Sequence, residues 1–286
     1  MKNERLKPAL DVILLFVIVM AFYAAVVIVL YLFGGMHLTG TPMQRIWKSC
    51  ILSFIQNGIF SFMTIFVTVR LWKKKIGDLG LTSLKQDWKD MIVGLLVGAA
   101  GITIPFLLML VSKSAEIKSV STQYIGVVAV SFLSYLFVGF GEEIFFRGGV
   151  MLGLKETKSK GIILGVSAVI FGAMHLGNNG ATFLAICNLI LFGIVAGYCF
   201  YCSGSIWFTI GMHTTWNFFQ GNIYGFPVSG GQGYSIITLC IPEENIFTGR
   251  AFGPEGGLGV TIALIFMFIL CRFYYHNQRE NAFLKK

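Results

Sequence analysis

The sequence predicts an all-α protein: a polytopic membrane bundle of about eight transmembrane helices, with the N-terminus and the C-terminus both cytoplasmic. Three observations predict it. Of 286 residues, 56% are apolar and 12% charged, about half the charge, roughly 25%, of ordinary soluble domains. Apolar runs near the roughly 20 residues of a membrane helix recur, and none alternates in and out as a membrane strand of about ten residues does. Lysines and arginines collect in short segments beside those runs, as they do in loops that face the cytoplasm. The net charge of +9 therefore reads as topology, and no nucleic-acid partner is expected.

The expected spans are Val12–Phe33, Ile51–Leu71, Met91–Val111, Ile125–Leu154, Gly161–His175, Phe183–Tyr201, Ser205–Phe219 and Leu258–Phe273, in one transmembrane domain over 1–286. The first follows Lys2, Arg5 and Lys7 as a secretion signal would. Its 22 residues exceed the roughly 7–15 of a signal core, so an uncleaved span is expected. With the N-terminus inside, and Arg70 and Arg147 within spans, fifteen basic residues fall on the cytoplasmic side. Five (Arg45, Lys48, Lys113, Lys118 and Arg250) fall outside, an asymmetry that sets orientation.

Gly94/Gly98, Gly149/Gly153, Gly161/Gly165 and Gly193/Gly197 have the spacing that lets helix backbones approach closely. The glycine-rich exterior stretch from Gly221 to Gly257 is expected as a loop or a re-entrant cap. Cys199 and Cys202 form a C-x-x-C inside a helical run and read as packing thiols, and no disulfide framework is implied by the six cysteines. His37 and His276 are expected in solvent, and Trp207 and Trp216 as core and lipid contacts rather than a binding box.

Of the thirteen acids, Glu142 and Glu143 are the only two expected at membrane depth. A carboxylate there costs about 3 kcal/mol even on a lenient insertion scale, so such residues are normally kept for function. His175 ends the fifth expected span; His213 and Asn217 lie four apart in the seventh and share one helical face. At 1.5 Å per residue, Glu142 lies ~18 Å above the cytoplasmic end of a fourth helix that continues to Leu154. His175 lies ~21 Å up, and His213 and Asn217 ~12 and ~18 Å up. Four polar side chains from three helices thus share one slab of bilayer.

Arg147 is four residues after Glu143, so those two can pair along the helix, for which the ordinary reading is structural. Glu142, about 100° around, is left for chemistry. A carboxylate beside an imidazole can take a proton from water. A histidine and an amide four apart can donate hydrogen bonds to an oxyanion. Together they describe amide hydrolysis by activated water without a covalent intermediate.

Glu142-Glu143-x-x-x-Arg147, Phe171-x-x-x-His175 and His213-x-x-x-Asn217 resemble the three motifs of the CAAX protease and bacteriocin-processing enzymes, the CPBP or Abi intramembrane endopeptidases. They occur in family order on the fourth, fifth and seventh expected spans, over about 125–219. The resemblance implies Glu142 as the water-activating base assisted by His175, His213 and Asn217 as oxyanion stabilisers, and Glu143 with Arg147 as support.

The expected function is thus an intramembrane peptidase acting on a membrane-associated protein or peptide, in a multi-pass protein of a bacterial cell membrane. No cofactor is expected. Zinc held by Glu142, His175 and His213 is the alternative, although the H-E-x-x-H spacing is absent. From other classes come a non-catalytic scaffold or bacteriocin-immunity protein using the same pocket, and a solute or proton transporter, which the lack of visible repeats disfavours. No oligomeric state is predicted.

Overall fold

The computed structural model describes residues 2–33, 40–276 and 281–285. His37 lies outside them, as does the side chain of His276. The order is α1 (Lys2–Leu32), α2 (Pro42–Phe66), α3 (Leu84–Val111), β1 (Glu116–Val120), α4 (Ile125–Glu143), α5 (Met151–Leu154), α6 (Lys160–Ala173), α7 (Phe183–Ser203), α8 (Trp207–Phe218), β2 (Ile237–Cys240), α9 (Leu258–His276) and α10 (Ala282–Lys285). A π-helical stretch, Ile144–Val150, joins α4 to α5 without a break, so the fourth expected span does run to Leu154.

A helix stands at each expected span, but lengths differ. Six stretches among the described residues are long and apolar enough to cross a membrane, as a multi-pass membrane protein requires: those carrying α1, α2, α3, α4 with α5, α7 and α9. The fifth and seventh expected spans are shorter. Helix α6 has 14 residues; α8 has 12 and runs on through a π-helical turn at Phe219–Ile223, against the roughly 20 needed to cross. Helix α6 stops because the chain turns at once, with His175 N donating to Gly172 O (3.1 Å) and Asn178 N to His175 O (3.1 Å).

Helix α2 starts nine residues earlier than its apolar run, at Pro42. Thr41 Oγ1 accepts from Gln44 N (3.3 Å) while Thr41 N donates to Gln44 Oε1 (2.9 Å), a reciprocal cap that satisfies two first-turn donors.

Two ends of the bundle are distinct. At one, Lys7 Nζ meets Glu156 Oε1 at 2.8 Å, Ile206 N donates to Gly80 O at 3.0 Å, and Trp207 Nε1 donates to Thr82 O at 2.9 Å. At the other, β1 pairs antiparallel with β2, with an irregularity between Ile117 and Ser119. Exterior loops were expected there, not strands. The stretch from Gly221 to Gly257 folds as a cap. Glu255 Oε2 accepts from Ser229 N (2.7 Å) and Ser229 Oγ (3.0 Å). Asn188 of α7 donates to the carbonyls of Glu255 (2.8 Å) and Gly257 (3.0 Å) and fastens the cap to the bundle.

Close helix contact positions α8. A Cβ on Gly94 would run into the Phe208 carbonyl, and one on Gly98 into the Met212 carbonyl and the Thr215 hydroxyl. Thr215 Oγ1 donates to Leu95 O at 2.7 Å across the same seam. A Cβ on Gly193 would come within 2.9 Å of Ala168 Cα, so the glycine lets α7 seat closely on α6. Gly161 and Gly165 have open space, so that spacing serves no close contact here. The C-x-x-C cysteines are buried thiols of α7.

Gly98→Leu is expected to cost at least the 1–3 kcal/mol of an overpacked core, read as a lower melting temperature in detergent. Gly165→Leu is expected to leave that temperature unchanged, and equal shifts for the two would refute this account of the α3–α8 seam.

Candidate active site

The site is built around two adjacent acids that go to different places. Glu143 and Arg147 are both 0% exposed, with Arg147 Nε 3.1 Å from Glu143 Oε2. The expected pairing along the helix is therefore present. The guanidinium also lies over the Phe171 ring, 4.7 Å from its centroid, a desolvated cation–π contact of about 2 kcal/mol. Glu143 has a second partner that its spacing to Arg147 does not announce: His213 Nδ1 stands 2.9 Å from Glu143 Oε1. A carboxylate so close to an arginine accepts only, so His213 Nδ1 donates to it, and Nε2 is the ring nitrogen on the other side.

Glu142, one residue earlier, faces the cavity. Its Oε2 is 4.0 Å from His213 Nε2, so the two ring nitrogens of one imidazole face the two neighbouring carboxylates. His175 Nδ1 lies 2.8 Å from Phe171 O. The carbonyl cannot donate, so Nδ1 does, and Nε2 is left as an acceptor. Phe171 thus serves three groups: its carbonyl fixes His175, its face takes Arg147, and its ring lies 5.0 and 6.0 Å from the His175 and His213 rings.

Glu142, His175, His213 and Asn217 all line one cavity of about 400 Å³, within the size range of small-ligand sites. Its walls include Tyr135 and Val138 of α4, Phe192 of α7 and Trp216 of α8. Its roof is loop: Asn178 and Asn179 after α6, then Ser229, Gly230, Gly231 and Glu255 from the cap. Asn178 Nδ2 donates to Ser229 O at 3.0 Å and joins the two loops. Glu255 escapes a sequence reading because an acid in an exterior loop is ordinary. Among the described residues Asp87, Asp90 and Glu255 are, like Glu143, acids buried within the protein. Trp216 is core, as expected, and also cavity wall.

The backbone around the acids is wound as a π-helix over Ile144–Val150, every residue of which is buried. Such turns are rare and cluster at functional sites. Ser167 of α6 donates its hydroxyl to Phe146 O at 3.0 Å, supporting a carbonyl within that stretch. Among the described residues, no three His, Cys, Asp or Glu side chains form a group able to hold a metal ion. The zinc set Glu142, His175 and His213 shares the cavity without being drawn together as a ligand cluster.

Removing one partner of a buried ion pair costs roughly 3–5 kcal/mol because the other charge is stranded. Arg147→Met is therefore expected to lower the melting temperature in detergent sharply, and Glu143→Gln/Arg147→Met to recover much of the loss. No recovery in the double variant would show that Arg147 acts by packing alone.

Comparison with known proteins bears on the same segment. No curated protein and no solved structure matches the chain. Residues 124–219, which hold every one of these motif residues, match the family described as type II CAAX prenyl endopeptidase, Rce1-like, the family of CAAX proteases that the three motifs resemble.

Proposed function

We propose that this chain is an intramembrane endopeptidase of glutamate type, cutting a peptide bond in a membrane-associated protein or peptide. The observation that carries the reading is the arrival of Glu142 from α4, His175 from the turn after α6, and His213 and Asn217 from α8 at one cavity. The family match over 124–219 supports a protease. In this mechanism Glu142, assisted by His175, takes a proton from water, and the hydroxide attacks the peptide carbonyl. The oxyanion accepts hydrogen bonds from the Asn217 amide and from the Nε2–H of His213 in its imidazolium form, whose Nδ1–H stays on Glu143. Glu142 then delivers its proton to the leaving nitrogen, so the C–N bond breaks to give acid and amine. Arg147 and Glu143 act on His213 by holding its Nδ1.

The test compares protein termini in membranes bearing wild type, Glu142→Gln or His175→Ala, each checked for insertion and folding. Wild type is expected to generate termini that both variants lose; identical sets would refute the reading. On a substrate so found, Asn217→Ala is expected to slow cleavage about 10²–10³-fold, as for a lost oxyanion donor. Activity is expected to persist in chelator-treated, metal-free protein, and its loss there with recovery on added zinc would favour the zinc reading.

The same proposal assigns one transmembrane domain with 125–219 as its catalytic core, eight helices in the membrane and both termini in the cytoplasm. It rests on the concentration of basic residues at the end opposite the cap. The cap then lies on the outer face. Cys240, in β2, is exposed, whereas the other cysteines are buried or half-buried. A membrane-impermeant maleimide added to intact cells is expected to label wild type and not Cys240→Ser; labelling only after the cells are opened would reverse the orientation.

A further inference from the structure

At the end of the bundle away from the cap, a second cavity of about 470 Å³ opens between the turn after α2, the α5–α6 connection and α10. Three lysines line it: Lys74, Lys155 and Lys158. None forms an ion pair with a described residue. The two acids on its rim are already engaged. Glu156 is bound to Lys7 at 2.8 Å, and Asp78 Oδ2 accepts from Lys75 N at 2.9 Å. Glu156 is offset by Lys7, and Asp78, whose charge acts on Lys155, offsets one of the three lysines, so the cavity carries a net positive charge.

Its walls are built rather than incidental. Phe283 of α10 is buried, packs on Phe200 at 5.2 Å, and presents its ring to Lys155 Nζ at 5.4 Å. Lys158 caps the short turn Lys155–Thr157 in a left-handed conformation (φ +54°), with its N–H donating to Lys155 O. Leu152 and Leu284 supply an apolar side to the same cavity. It lies where the membrane-crossing stretch Ile125–Thr157 ends.

We infer that this cavity binds the phosphate headgroup of an anionic phospholipid, with the lysines on the phosphate and the leucines against the start of the acyl chains. Basic pockets between membrane helices take headgroups in this way. A free phosphate would satisfy the lysines but not use Leu284 or the position at the end of a membrane-length stretch, which is the reason for committing to a lipid. The inference does not depend on the peptidase reading.

The test uses the full chain purified in phosphatidylcholine mixed micelles. Adding phosphatidylglycerol at about ten times its dissociation constant is expected to raise the melting temperature of wild type by roughly 3 °C. Native mass spectrometry is expected to retain the lipid as an adduct. Lys74→Gln/Lys158→Gln is expected to lose both effects, and Lys74→Gln alone, at a side chain outside the Lys155–Phe283 contact, to weaken them. An equal shift in the double variant would overturn the site. The same shift from inorganic phosphate without phosphatidylglycerol would overturn the lipid and leave an anion site.

Discussion

A fully buried ion pair governs the centre of this molecule. Glu143 and Arg147 are both sealed from solvent at 3.1 Å, and neither charge can be removed from water cheaply unless the other is fixed beside it. That requirement reaches into three helices. Helix α6 must bring the Phe171 face under the guanidinium at 4.7 Å, and α8 must bring His213 to the remaining carboxylate oxygen at 2.9 Å. Once those contacts are made, the two imidazoles have little rotational freedom, because one is tied to Glu143 and the other to the Phe171 carbonyl. Preorganisation at the cavity is thus a consequence of burying a charge one helical turn away.

The short helices have a related physical role. Irregular backbone is tolerated at membrane depth only where it is buried in protein or lines a water-filled cavity. By stopping at Ala173 and turning, α6 lets Asn178 and Asn179 reach the roof of the site, and the cap brings Ser229 to Gly231 down beside them. Two full-length spans would have put apolar helix there. Glu255 and Asn188 then satisfy the groups that such a descent exposes, through bonds of 2.7–3.0 Å to Ser229 and to the cap carbonyls. Polar loop and apolar bundle are joined without leaving the cap's Ser229 amide bare.

Much of this was legible from periodicity and spacing, because a bilayer imposes length and apolarity on every crossing segment. The helix positions, the Glu143–Arg147 pair at i, i+4 and the common address of Glu142, His175, His213 and Asn217 all follow from helical geometry. What escaped depends on contacts distant in sequence. The Glu143–His213 bond spans 70 positions, and the sunken Glu255 reads as an ordinary loop acid. The π winding at Ile144–Val150 has no proline to announce it. The cap of α2 was written in Thr41-Pro42-Met43-Gln44 but is masked by an apolar run that starts later. Glycine spacing misled once: Gly161/Gly165 faces open space, whereas Gly94/Gly98 is filled by α8, and only the neighbour's position separates the two.

The adjacency of the two glutamates follows from the imidazole between them. Residues i and i+1 on a helix diverge by about 100°, so one acid can enter the protein interior while the next faces the cavity. Their carboxyl groups nevertheless stay near enough to flank a single ring, with His213 Nδ1 at 2.9 Å from Glu143 and Nε2 at 4.0 Å from Glu142. Placing the second acid three or four residues away would return both to one face, where two carboxylates repel and compete for Arg147. Consecutive placement separates the two: Glu143, held by Arg147, fixes the ring through Nδ1, and Glu142 faces the cavity. That division lets one carboxylate be buried against Arg147 while its neighbour is turned to the cavity.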